Sequence, residues 1–200
     1  MKASHRLCLA FMLTFAIMVC LASNAAAETT FGSPGSGAGQ LGGNGGSITG
    51  VAVDPVSGDV YVADWGNNRI DVFEGDGDFL FAFGWGVGDG TSNALQTCTT
   101  TCFSGIVGSG SGQINNPEAI AIDSDPSSPS YRDIYVSERD SRRVQKFSPN
   151  GDFILMFGGG VNKTTGKDIC TLASGNTCGA GAQSGANGAF FRTMQVAAGP

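Results

Sequence analysis

The sequence predicts an all-β chain assembled from repeated four-stranded antiparallel sheets. Three observations carry that expectation. Residues 60–84, VYVADWGNNRIDVFEGDGDFLFAFG, alternate short β-branched and aromatic runs with polar turns, which is the pattern of a strand meander. The meander returns at residues 134–158, IYVSERDSRRVQKFSPNGDFILMFG, displaced by 74 positions without a gap. The composition agrees: 32 glycines and 13 phenylalanines with only 14% charged residues in a chain of 200, and no G-X-Y period, describe many short strands joined by glycine turns.

Taken in order, the chain opens on a leader. MKASHR is basic, LCLAFMLTFAIMVCLA (7–22) is apolar, and SNAAA ends in small residues. This is the order of a secretory signal peptide over residues 1–27, with cleavage expected after Ala27. An apolar run of about 16 residues is short for a membrane span, so no membrane association is expected after its removal. Val19 in front of Cys20 does not suit a lipoprotein signal. The mature chain would keep nine basic and seventeen acidic residues, a net charge of −8, and would lose His5, the only histidine. A secreted, extracellular location is expected, with the periplasm or a cell surface as equivalents.

Thr29–Gly32, TTFG, resembles FAFG (81–84) and LMFG (155–158), and so reads as the remnant of an outer strand. The first full unit, about 47–84, has expected strands at about 48–53, 59–63, 69–74 and 78–83. Its first strand, SITGVAVD (47–54), alternates small with β-branched residues, as a tightly packed inner strand requires. EGDGD (74–78) supplies Asp-Gly, and SPNGD (148–152) supplies Asn-Gly, the residues that accept positive φ in hairpin loops. A Cys-bearing insert (85–107) follows. The second unit, about 113–158, has strands at about 119–123, 133–137, 143–147 and 152–157. Between residues 59–84 and 133–158, ten of 26 positions are identical, among them Tyr61 and Tyr135, Arg69 and Arg143, and Phe73 and Phe147. A second Cys-bearing insert (159–187) leads to the start of a third unit at 188–200, where TMQVAAGP reads as its first strand. Each small sheet has two apolar faces and cannot bury both alone; stacking such sheets around an axis does so, which is the logic of a β-propeller. The expected architecture is a partial β-propeller of two complete blades, an N-terminal outer-strand remnant and a C-terminal first strand. The remaining blades would belong to a longer chain.

The residues also resemble the NHL-repeat β-propellers. The resemblance rests on GVAVD, then VYVADWGNNRIDVF, then a turn and FLFAFG, and covers roughly 29–84 and 108–200. The first repeat keeps Asp64, Asn67 and Arg69. The second has Glu138, Ser141 and Arg143 in their places. The resemblance implies a propeller and no particular activity.

Four cysteines outside the leader, Cys98, Cys102, Cys170 and Cys178, allow three connectivities. Each pair lies within one Gly/Thr/Ser-rich segment, and an exported protein favours oxidation. Local disulfides Cys98–Cys102 and Cys170–Cys178 are therefore expected; a four-thiolate zinc site is the alternative, which the spacings of three and seven intervening residues fit poorly. No catalytic, cofactor or metal residues are expected. Without histidine the mature chain cannot build a Ser-His-Asp triad. The glycine-rich stretch 32–46 lacks the Lys-Ser/Thr end of a phosphate loop. Asp64 and Arg69 suit a turn and an ion pair, and Asp54 and Asp123 suit turn capping. Arg139, Arg142 and Arg143 read as a solvated turn, too few on an acidic chain to track nucleic acid. Trp65, in a turn, and Trp85, just past a strand, are the candidates for a recognition surface. The expected function is a binding scaffold for an extracellular protein or glycan. The alternative is a portion of a six-bladed propeller enzyme, a lactonase or a peptide-end lyase, with metal ligands in further blades.

Overall fold

The computed structural model describes residues 31–199 apart from 44–46, 173–174, 184 and 193–194. The leader 1–27 and its cleavage site lie outside the described residues, as do Thr29 and Thr30. Among the described residues there are strands, turns and loops and no helix.

Strands form where β-branched and aromatic residues alternate between turn signals. The first sheet runs in chain order through β3 (Ile48–Val53), β4 (Val60–Asp64), β5 (Arg69–Phe73), β6 (Phe79–Trp85) and β7 (Leu95–Cys98), every pair antiparallel. The second runs through β8 (Pro117–Ile122), β9 (Ile134–Glu138), β10 (Arg143–Phe147), β11 (Phe153–Phe157) and β12 (Ile169–Cys170), again antiparallel throughout. The register repeats as the 74-residue offset requires: Val62 faces Asp71, and Val136 faces Gln145. Before them, β1 (Ser33–Gly35) and β2 (Gln40–Gly42) make a short parallel pair.

The four expected strands of each unit are present, and each sheet carries a fifth. It comes from the segment read as an insert. Ala82 pairs with Cys98, and Met156 with Cys170, at equivalent places. An outer strand leaves its backbone groups unpaired along its free edge, and the segment that ends on the first cysteine of each disulfide pairs with them.

The sheets stack as neighbouring blades. Tyr61, Ala63, Ile70, Val72 and Phe83 of the first join Ile114, Ile120, Ile122, Ile134, Val136 and Phe147 of the second in one core. The rings of Phe83 and Phe147 lie 5.2 Å apart. At the inner strands the approach is so close that a Cβ on Gly50 would sit 2.9 Å from Ala119 Cα, so glycine there is a packing requirement. Polar ties cross the same boundary. The Tyr61 hydroxyl donates to the Pro149 carbonyl (3.0 Å), Thr49 Oγ1 to the Pro117 carbonyl (2.6 Å), and Arg132 Nε to Asp54 Oδ2 (2.9 Å).

Two expected strands differ. Phe31 and Gly32 are not in a strand; the chain becomes extended only at Ser33, and β1 pairs with β2 instead of joining a blade edge. Side chains of the first blade fasten this segment, and Phe31 packs edge-on against Phe73 at 5.9 Å. Residues 195–199 form no strand either. An inner strand is completed by the hairpin partner that follows it, and the described residues contain none for this segment. Gln195, Val196 and Ala197 nevertheless lie beside Thr49–Val51 and Glu118–Ile120, along the line of the first two inner strands.

Candidate functional site

The repeat signature builds a buried polar clamp. Asp64 ends β4, and its carboxylate accepts from the Asn67 amide N–H (3.0 Å), the Asn67 side-chain amide (2.7 Å) and the Gly42 N–H (3.1 Å). Arg69 opens β5 and is fully buried. Its Nε donates to Asp71 Oδ2 (3.0 Å). Its Nη1 donates to the carbonyls of Ser36 (2.6 Å) and Phe103 (3.0 Å), and its Nη2 to those of Gly37 (2.9 Å) and Gln40 (2.8 Å). All five guanidinium N–H groups are thus used. One side chain stitches the 33–43 loop, the disulfide loop and the sheet together. The structural roles read for Asp64 and Arg69 hold.

The second blade repeats the clamp with different residues. Arg143, also fully buried, pairs with Glu138 (3.1 Å) and donates to the carbonyls of Ser109 and Gln113 (2.5 Å). Gln145, in the place of Asp71, donates to Glu138 Oε1 (2.5 Å) and to the Gln113 carbonyl (2.7 Å) and accepts from the Gly112 N–H (2.9 Å). Burial raises the carboxyl pKa of Asp64 and of Glu138, against the opposing pull of their hydrogen bonds and arginines. The expectation of a solvated basic turn is corrected here. Arg139 is partly exposed beside Asp140, but Arg143 is a core residue, because its cation is matched by Glu138 and by carbonyls. The loops that receive the two arginines share a motif that composition had hidden. Gly35-Ser36-Gly37-Ala38-Gly39-Gln40-Leu41 and Gly108-Ser109-Gly110-Ser111-Gly112-Gln113-Ile114 are the same G-S-G-x-G-Q-aliphatic loop. Its recurrence 73 positions apart is the signal that finds it.

The cysteines pair as expected, Cys98 with Cys102 and Cys170 with Cys178. Each bond closes the loop behind a fifth strand. Three residues past the second cysteine of each pair, Gly105 and Gly181 donate to the carbonyls of Asn67 and Ser141 (2.7 Å each), the turn between the second and third strands of their own sheets. Asp54 and Asp123 cap their turns, Asp54 accepting from Val56 and Ser57 and Asp123 from Asp125 and Ser128.

Of the two recognition candidates, Trp65 is half-buried in the turn after β4. Trp85 is half-buried at the end of β6, and its indole N–H donates to Asn93 Oδ1 (2.8 Å). It borders a cleft of about 490 Å³ lined from both blades, with Leu95, Phe153, Leu172, Asn176 and Thr177 among its walls. A second cleft, of about 590 Å³, runs along the inner strands past Thr49 and Glu118. Among the described residues no three or more His, Cys, Asp or Glu side chains come together as metal ligands. Among the same residues no helix is long and apolar enough to cross a membrane.

Two stacked antiparallel sheets, with their inner strands in contact and their arginine clamps repeated, define a partial β-propeller. The sequence model of the NHL repeat matches residues 46–73, from the approach to β3 through the end of β5. No curated protein matches the chain.

Proposed function

We propose that the chain is an exported binding scaffold that takes an extracellular protein or glycan in the Trp85 cleft. The cleft is the observation that carries this reading. It combines the aromatic Trp85 and Phe153 and the aliphatic Leu95 and Leu172 with amide and hydroxyl groups in its lining, the mixture that holds a sugar ring or a peptide side chain in a defined orientation. The two disulfides support export, since such bonds persist in oxidising compartments. Titration against a panel of extracellular glycans and proteins, followed by tryptophan fluorescence, tests it. Binding that is lost in Trp85→Ala and kept in Trp65→Ala supports the cleft. Binding untouched by Trp85→Ala refutes it.

The remaining partners in this reading are further blades. Ile120 and Ile122, on the inner strand facing the first blade, are 6% and 8% exposed, whereas their counterparts Val51 and Val53 are 55% and 58% exposed. Another sheet of the same kind on the free face of β3 removes that difference. Sedimentation of residues 28–200 is expected to show self-association; a monomer with a sharp, cooperative melt contradicts the need for more blades.

A further inference from the structure

We propose that Asp64 and Asp71 hold a single proton between their two carboxyls, and that this proton makes the clamp on the 33–43 loop pH-sensitive. Three observations lead there. Both carboxyls are fully buried, and the strand register sets Asp71 opposite Val62 and Asp64 opposite Arg69, which makes the two aspartates diagonal neighbours on one face of β4 and β5. Asp71 Oδ2 is bonded by Arg69, but Asp71 Oδ1 has no hydrogen-bond donor among the described residues. The second blade shows what belongs at that atom. There Gln145 stands for Asp71, and its Nε2 donates to Glu138, the counterpart of Asp64. A protonated Asp71 donates in the same direction; an ionised one presents an acceptor to an acceptor.

Charge balance points the same way. The clamp of the second blade holds one arginine with one carboxylate, Arg143 with Glu138. The clamp of the first holds one arginine with two carboxyls, Arg69 with Asp64 and Asp71. Among the described residues no other charge comes from the elements packed on the pair: the 33–43 loop, β6 and the 98–105 segment contain no Asp, Glu, Lys, Arg or His, and Arg69 and Asp64 are the charged groups that act on Asp71. Uncompensated charge in such a place is relieved by taking up a proton. Burial accordingly pushes the Asp71 carboxyl up to about 7, with Arg69 opposing and Asp64 adding to the rise.

The same pair holds the loop. Asp64 receives the Gly42 N–H, and Arg69 reaches the carbonyls of Ser36, Gly37 and Gln40. The folded-state pKa lies above the unfolded value of about 4. The proton's contribution to stability is therefore complete below about pH 4 and is lost as pH rises to about 7, after which it is flat.

Urea unfolding of the full chain from pH 5 to pH 8 tests this, with Asp71→Asn as the neutral mimic of the protonated state. Relative to Asp71→Asn, the wild-type folding constant is expected to fall by up to about tenfold per pH unit below pH 7, the limit for one proton. The Gly42 amide resonance should titrate near neutral pH in the wild type and stay still in the variant. Gln145→Glu should install a second carboxyl pair and add a second fall of the same sign. Parallel pH profiles for wild type and Asp71→Asn, with a flat Gly42 resonance, overturn the proposal. If Asp71→Asn does not fold, Gln145→Glu decides, and an unchanged pH profile for it is likewise overturning.

Discussion

Replacing Arg69 tests the idea that the repeat signature exists to hold loops to the sheet. The side chain is fully buried and makes five hydrogen bonds, four of them to carbonyls of two separate loops. Lysine has three N–H donors and so leaves at least two of these acceptors without a partner. At about 1–3 kcal/mol for each buried group left unsatisfied, Arg69→Lys should cost roughly 2–6 kcal/mol. Arg69→Met removes the cation as well; breaking a buried pair from one side costs about 3–5 kcal/mol, to which the orphaned carbonyls add. Against a typical stability of about 5–15 kcal/mol, methionine brings the fold near its limit and lysine is the practical variant. Urea unfolding monitored by tryptophan fluorescence measures the loss, with Arg139→Ala, beside the exposed Asp140, as a surface control expected within about 0.5 kcal/mol of wild type. A loss below 1 kcal/mol for Arg69→Met would refute the clamp and mean that the loops are held by other contacts.

Phe73, 1% exposed and ringed by Phe31 and Phe79, should cost about 3–5 kcal/mol on truncation to alanine in a urea melt; a loss under 1 kcal/mol would place it at the surface. Replacing Cys98 and Cys102 together by serine opens a five-residue loop, worth about 2 kcal/mol by chain entropy, and should loosen β7 without unfolding the core; amide exchange at Gln96 and Thr97 reads this, and unchanged protection there contradicts it. Burial pushes the Tyr61 phenol up to about 12, with Asp54 and Asp59 adding to the rise. Because that value lies above the unfolded one of about 10, stability is lost as pH rises from about 10 to 12, and Tyr61→Phe should remove that loss; ultraviolet titration showing every tyrosine ionised by pH 11 would contradict it.

The repeat, and with it the blade, was legible because strand pairing and turn chemistry are local. Alternation set the faces of β3 to β6 and β8 to β11. Asp-Gly and Asn-Gly set two hairpins, and the 74-residue offset fixed the register of one blade from the other. The disulfides were legible for the same reason, since both partners lie in one short loop. The fifth strands were not. Ile169–Cys170 is two residues long, and Leu95–Cys98 carries no clear alternation; both pair because an outer strand offers a free backbone edge, which no composition records. The clamp was half legible. Asp64 and Arg69 announced a turn and an ion pair, but Arg143 read as solvated because the neighbouring Arg139 and Arg142 suggested a basic surface and its carbonyl acceptors lie some 30 residues upstream.

By itself, then, the sequence determined that this chain folds into repeated antiparallel sheets that stack face to face, because apolar alternation leaves each sheet with two faces to bury. Only the tertiary structure decided which polar groups go inside. The fate of a charge depends on the donors and acceptors that distant loops bring to it, and those distances exist only after the blades have closed upon one another. Arg69 and Arg143 are buried because glycine loops deliver carbonyls to their guanidinium groups. Asp71 and Gln145 meet the same surroundings, an arginine and a second carboxyl, and those surroundings are a property of the fold.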